Sequence, residues 1–227
     1  MIPALRRDVA LGCRILATED QGDFVWGHVS ARDPDGRGIW MKASGFGFDE
    51  LTAEQVILVS WEGEVLEGDA RRHIEYPIHT ELMRARPDVQ AVVHTHAPWS
   101  VAFASTEEPL RPLSHEGTLF VPPDIARFTE TGDLVTTPEL GTSLARVVGD
   151  RNAALMVHHG IVACGADLPT AVFNAVFLER ACRANMRALM AGGPKTWSDD
   201  AEALAKREHV YVSQAAWDYL ARRLSDG

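Results

Sequence analysis

The sequence predicts one α/β domain, on three observations. Its 227 residues, 46% hydrophobic and 24% charged with an even composition along the chain, suffice for one large core. Short apolar runs of strand length recur between segments whose apolar residues follow helical spacing. No internal repeat, low-complexity tract or apolar run of the roughly 18 residues needed to cross a bilayer interrupts them.

Taken in order, residues 4–18 place Leu5, Val9, Cys13 and Leu16 at helical spacing, with Gly22 as a stop beyond the end. Residues 24–32 and 38–42 flank Asp33-Pro34-Asp35-Gly36, a composition that suits a tight reversal, so the pair reads as a hairpin. A glycine-containing loop over residues 43–48 leads to a short capped helical turn at 49–55. Strands then follow at 56–60 and 64–66. Pro77 opens a helix, where its missing N–H is harmless, with Ile78, Leu82 and Met83 as the buried stripe. Residues 89–94 form the next strand and 98–105 a helix. The stretch from 107 to 137, rich in proline, reads as a long loop of the kind that carries function or an interface. A helix at 140–148, strands at 153–157 and 161–164, and a long helix at 170–191 follow. Gly192-Gly193-Pro194 breaks that helix, and a C-terminal helical tail from about 195 ends in one helix over 199–224.

Charge and cysteine content narrow the function classes. A net charge of −10 without a basic patch argues against nucleic acid as a partner. Three cysteines without C-x-x-C spacing read as reduced, buried thiols. The first residues lack the apolar core of a secretory leader, so the expectation is a cytoplasmic protein with no membrane partner.

The chemistry concentrates in Ala91-Val92-Val93-His94-Thr95-His96-Ala97. Positions i and i+2 of a strand share a face, so the His94 and His96 imidazoles can converge on one point. His159, before Gly160 in a turn between two strands, is a third candidate, and three histidines leave open positions on a metal ion, as catalytic sites require. Glu75, just ahead of a helix, is a candidate fourth ligand or proton carrier. Its bland reading is a solvated acid at a helix start.

The string running from Glu75 and Pro77 through Ala85-Arg86-Pro87-Asp88-Val89-Gln90 to His94-Thr95-His96-Ala97-Pro98, followed by His158-His159-Gly160, resembles the class II aldolase/adducin family. The resemblance covers roughly residues 5–190, and it implies a three-layer α/β/α sandwich around a largely antiparallel central sheet. It further implies a divalent metal on His94, His96 and His159, zinc first, with manganese, iron or cobalt as alternatives, and Glu75 as acid/base or fourth ligand. The implied activity is that of a lyase cleaving carbon–carbon bonds through a metal-stabilised enolate. A homotetramer with active sites shared between subunits is implied as well.

The pocket departs from the sugar-phosphate pattern of that family. Ser44 and Gly45 match its phosphate loop, but His28, His73 and Ile74 stand where phosphate-using members carry asparagine and two small hydroxyl residues. A phosphate dianion needs several N–H or hydroxyl donors. The segment Gly27-His28-Val29-Ser30 instead resembles the version found in family decarboxylases. The expected substrate is therefore a non-phosphorylated hydroxy or oxo acid, or a hydroxylated aromatic carboxylate, bound by His28 and His73. His115 in the proline-rich loop and Tyr211 in the C-terminal segment are expected to reach a neighbouring subunit's site. A sugar-phosphate aldolase or epimerase and a non-catalytic adducin-like scaffold remain the alternatives.

Overall fold

In the computed structural model, residues 4–210 and 214–225 are described, and they contain eight strands in one sheet. The strands are β1 (His28–Arg32), β2 (Gly38–Lys42), β3 (Val56–Ser60), β4 (Val65–Glu67), β5 (Ala91–Thr95), β6 (Ala126–Phe128), β7 (Ala153–Met156) and β8 (Gly160–Gly165). Their order is β4-β3-β2-β1-β5-β8-β7-β6, with every pair antiparallel except the parallel β6 and β7. The helices are α1 (Ala4–Thr18), α2 (Pro77–Ala85), α3 (Pro98–Ala104), α4 (Pro138–Val148), α5 (Leu168–Met190), α6 (Asp200–Arg207) and α7 (Gln214–Ser225).

Strand alternation divides the interior into two cores. Val29, Ala31, Trp40, Leu58, Val93, Leu155 and Ile161 point to one face, against Val9, Cys13 and Leu16 of α1, Phe103 of α3 and Val172 and Leu178 of α5. Ile39, Met41, Ile57, Val59, Val92, Met156 and Val162 point to the other, against Ile78 and Leu82 of α2 and Leu144 and Val148 of α4. The result is the expected α/β/α sandwich around a mostly antiparallel sheet. Covering both faces explains why the inner strands read as continuous apolar runs, whereas the three residues of edge strand β4 stay exposed. Helix starts follow from capping: Thr137, Asp167 and Asp199 each accept an N–H from the first turn of α4, α5 and α6. No helix among the described residues is long and apolar enough to cross a membrane.

Three expectations need correction. The first hairpin strand begins at His28, not at residue 24, because Phe24 and Gly27 take φ of 45° and 70° and turn the chain before β1 starts. The long loop holds a 3-10 turn, Glu116–Leu119, and the short strand β6, which pairs with β7 at the sheet edge. The single C-terminal helix is two helices. A turn at Glu208 and His209 closes α6, and Arg207 is drawn away to donate to the carbonyls of Thr118 and Pro122, at 2.6 Å each.

Helices α2 and α4 meet at Gly141, where a Cβ would stand 2.6 Å from the Pro77 carbonyl oxygen and 2.9 Å from Glu81 Cγ. Alanine would gain about 1 kcal/mol of helix propensity there. Overpacking against fixed backbone costs about 1–3 kcal/mol, and the contact is with backbone, so the steric effect wins. Gly141→Ala is expected to lower the unfolding free energy in a urea titration. An unchanged or higher midpoint would show that the two helices separate freely.

Candidate metal centre and pocket

The centre is built on the face of the sheet that carries α2. His28 of β1 lies directly opposite His94 of β5, and His94 lies opposite Val162 of β8. Since Val92 and Val162 face α2, His94 does too, and so do His28 and Ser30 of β1. His96 follows β5 by one residue, and its ring centroid is 5.1 Å from that of His94. His159 arrives from the turn between β7 and β8, 4.9 Å from His94 and 5.4 Å from His96. That turn requires special backbone. His158 adopts φ 63° and points outward, and a Cβ on Gly160 would stand 2.4 Å from the Thr95 carbonyl oxygen. Only glycine lets β8 come this close to β5.

His94, His96 and His159 each offer a nitrogen, and these lie within 4.8 Å of one another. Hydrogen bonds orient two of the three rings. His94 Nδ1 donates to the Ile161 carbonyl at 2.9 Å, and His96 Nδ1 donates to Asp23 Oδ2 at 2.8 Å, which leaves Nε2 of each ring as an acceptor. Both of these Nε2 atoms and both His159 nitrogens are buried without a hydrogen-bond partner. An orphaned buried polar atom costs about 1–3 kcal/mol. Four in one cluster of three rings are the mark of a site made for a cation, and imidazole nitrogens suit a divalent one.

Glu75, buried at the head of α2, completes the cluster. Its Oε1 accepts the Val135 N–H at 2.8 Å and lies 3.5 Å from His159 Nε2; its Oε2 lies 3.8 Å from His28 Nε2 and 3.9 Å from His94 Nε2. Burial works against its charge, but the His159 and His28 rings, with His94 beside them, outweigh burial and hold the carboxyl well below the usual carboxylate range. Glu75 is therefore ionised. Burial keeps the His28, His79 and His94 rings neutral: it pushes His79 down to about 3, and His28 and His94 well below their ordinary value.

A cavity of about 350 Å³ opens onto this cluster. His28, His73, Glu75 and His96 supply its polar lining, together with Ser44 and Gly45, whose φ is 91°. Val25, Trp26, Ile74 and Leu134 supply its apolar lining, and all four are partly exposed. His73 is held from behind by the fully buried Lys42, whose ammonium lies 3.2 Å from His73 Nε2 and donates to the carbonyls of Val25 and Ala43. Burial, then the Lys42 charge, push His73 down to about 3, and burial lowers Lys42 to about 8.

The structure thus brings together His28, Ser44, Gly45, His73, Glu75, His94, His96 and His159. His115 is exposed and does not line this cavity, and Tyr211 lies outside the described residues. Sequence reasoning missed Asp23, Ser30, Lys42 and His79. For His79 a signal was present: four residues after Glu75 at a helix start, it shares that face. Asp23 carried none, because 73 residues separate it from the histidine it orients.

Comparison with known proteins agrees with the geometry. Residues 7–186 match the model of the Class II Aldolase and Adducin N-terminal domain. A 3,4-dihydroxyphthalate decarboxylase of Arthrobacter keyseri is 30% identical over 97% of this chain and 94% of its own length. A 5-methylthioribulose-1-phosphate/5-deoxyribulose-1-phosphate aldolase of Rhodospirillum rubrum is 28% identical over 93% of this chain and 94% of its own. The solved structure of an L-fuculose 1-phosphate aldolase from Glaciozyma antarctica PI12 superposes with a TM-score of 0.82 at 27% identity, over 97% of this chain and 87% of that one. With a family model matched over residues 7–186 and a 30% identical relative aligned along nearly its whole length, the chain belongs to the class II aldolase/adducin family.

Proposed function

We propose that this protein is a divalent-metal-dependent carbon–carbon lyase that decarboxylates a hydroxylated aromatic carboxylate. The observation that carries this reading is the mixed lining of the cavity: the apolar side chains of Val25, Trp26, Ile74 and Leu134 share it with His28, His73, Glu75 and His96. A planar ring suits the first group and its anionic oxygens the second. The 30% identical relative is named for decarboxylation of such an acid, which supports the assignment. Phosphate recognition is poorly served, since Ile74 offers only its backbone amide where hydroxyl donors would be needed.

In this reading His94, His96 and His159 hold the cation, with Glu75 beside them, and zinc suits three imidazoles and a carboxylate. When bound, the ion supplies Lewis acidity to the substrate oxygens that face it. Glu75, ionised at rest, begins as a base and takes the proton of a substrate hydroxyl. The bond from ring to carboxylate breaks, carbon dioxide leaves, and the electron pair stays on the ring carbon. Glu75 then returns its proton to that carbon, and the phenolate product takes one proton from water on release. His28 and His73 hold the carboxylate, while Trp26, Ile74 and Leu134 exclude water from the carbon being protonated. The same proposal has the chain assemble as a homotetramer in which the exposed His115, and Tyr211, serve a neighbouring pocket. A second reading, retro-aldol cleavage, is favoured by Ser44 and Gly45 at the phosphate-loop position and by the aldolase relatives.

Three outcomes follow. Purified protein is expected to carry about one divalent ion per chain by elemental analysis, and His94→Ala or His96→Ala to lose it; full metal content in both variants would sink the ligand assignment. Asp23→Asn removes the carboxylate that orients His96 and is expected to weaken metal affinity by about ten- to a hundredfold in a chelator competition. Glu75→Gln is expected to keep the metal and lose turnover, read as released carbon dioxide and aldehyde in parallel from a panel of hydroxylated aromatic acids and aldol products. Near-normal rates in that variant would reduce Glu75 to a structural residue, and aldehyde without carbon dioxide would favour the second reading.

A further inference from the structure

Behind the cavity, three side chains stand in line. Ser30 Oγ is 2.7 Å from His79 Nδ1, and His79 Nε2 is 2.6 Å from His28 Nδ1. All three are buried, Ser30 and His79 at 0% exposure and His28 at 1%. The far end of the line, His28 Nε2, faces the cavity 3.8 Å from Glu75 Oε2.

A neutral imidazole carries one N–H, so the line has two possible polarities. In the first, the Ser30 hydroxyl donates to His79, His79 Nε2–H donates to His28, and His28 presents Nε2–H to the cavity. In the second every proton sits one step back, and His28 presents a bare lone pair. The second leaves the Ser30 hydroxyl hydrogen needing another acceptor, yet His79 is its side-chain partner and the site is closed to water. It also turns a lone pair toward the ionised Glu75, where an N–H would be attracted. What favours it is the Val92 carbonyl, a second polar neighbour of His79, and the grouping of His28 with Glu75 and His94, which an acceptor nitrogen would turn into another cation site. The first polarity satisfies more groups at once.

We propose that Ser30 and His79 are positioning residues that hold His28 as a fixed Nε2–H donor for an anionic oxygen of the substrate, which under the reading above is its carboxylate. Reversing the line would orphan a buried hydroxyl, so His28 donates a hydrogen bond without giving up its proton. The division of labour with Glu75 follows: Glu75 moves protons, and His28 selects a group that only accepts.

Nitrogen-15 NMR of histidine-labelled protein reads the tautomer directly, with His28→Asn identifying the signal. Nε2–H on His28 is expected in the native protein, and Nδ1–H would overturn the proposal. Ser30→Ala is expected to shift His28 toward a mixture of tautomers and Ser30→Thr, which keeps the hydroxyl, to restore it; an unmoved signal in Ser30→Ala overturns the role of Ser30. The same loss is expected to weaken 3,4-dihydroxybenzoate binding about tenfold and to leave catechol, which lacks the carboxylate, unaffected. If neither compound binds the native protein, the aromatic-acid reading fails, while the tautomer measurement still decides this one.

Discussion

Everything at the centre depends on β5 being held antiparallel between β1 and β8 in one register. That register sets His28 opposite His94 and His94 opposite Val162. A slip of one residue would turn His94 to the opposite core and put Val93 at the candidate metal position, because strand side chains alternate faces. Two glycines protect it. Gly160 lets the backbones of β8 and β5 touch, and Gly27, where a Cβ would meet Phe48 at 3.1 Å and the His94 carbonyl oxygen at 3.3 Å, turns the chain into β1 at the right residue. His28 from β1, His94 from β5 and His159 from the turn before β8 then converge around Glu75.

The three rings at the candidate metal position are anchored unequally, and the differences follow from where each lies. His94, inside the sheet, is held by a neutral ladder carbonyl, that of Ile161. His96, past the strand end, is held by the carboxylate of Asp23, which fixes the ring orientation and leaves Nε2 as the free nitrogen. His159 makes no hydrogen bond to a carbonyl and lies 3.5 Å from its nearest side-chain partner, Glu75 Oε1, so its direction comes mainly from the left-handed backbone of His158 and the tight contact at Gly160. A ring without a hydrogen-bonded anchor is the one a bound cation would order most.

Much of this was legible in the sequence, and the reasons are local. The His94 and His96 pair, the helix start at Pro77 and the turn glycine Gly160 are short-range patterns whose geometry a strand or helix dictates, so they transfer directly to the structure. The orienting partners were not legible. Asp23, Lys42 and the carbonyl of Ile161 act across sheet contacts between residues far apart in the chain, and no spacing rule reaches that far. The C-terminal helices show the opposite failure. Helical spacing of apolar residues predicts one helix across 199–224, but α6 closes in a turn at Glu208 and His209, beside the anchoring of Arg207 on the carbonyls of Thr118 and Pro122.

The buried Lys42 bears on which anions the cavity can hold. Its ammonium is fully buried behind His73, so burial lowers it to about 8, and at neutral pH it remains mostly charged. An anion entering the cavity would stabilise that charge and raise the lysine's pKa, and by the same linkage the charge would stabilise the anion. The ammonium is engaged by His73 and by the carbonyls of Val25 and Ala43 and does not itself line the cavity, so it acts as a field, without contributing a donor to the ligand. A field of this kind suits a singly charged group that one or two N–H donors can satisfy. A phosphate dianion, which must exchange a full hydration shell for several donors, would find Ser44 and the backbone of Gly45 beside an apolar Ile74. Under the proposed function, this balance of field against donors favours a carboxylate over a phosphate.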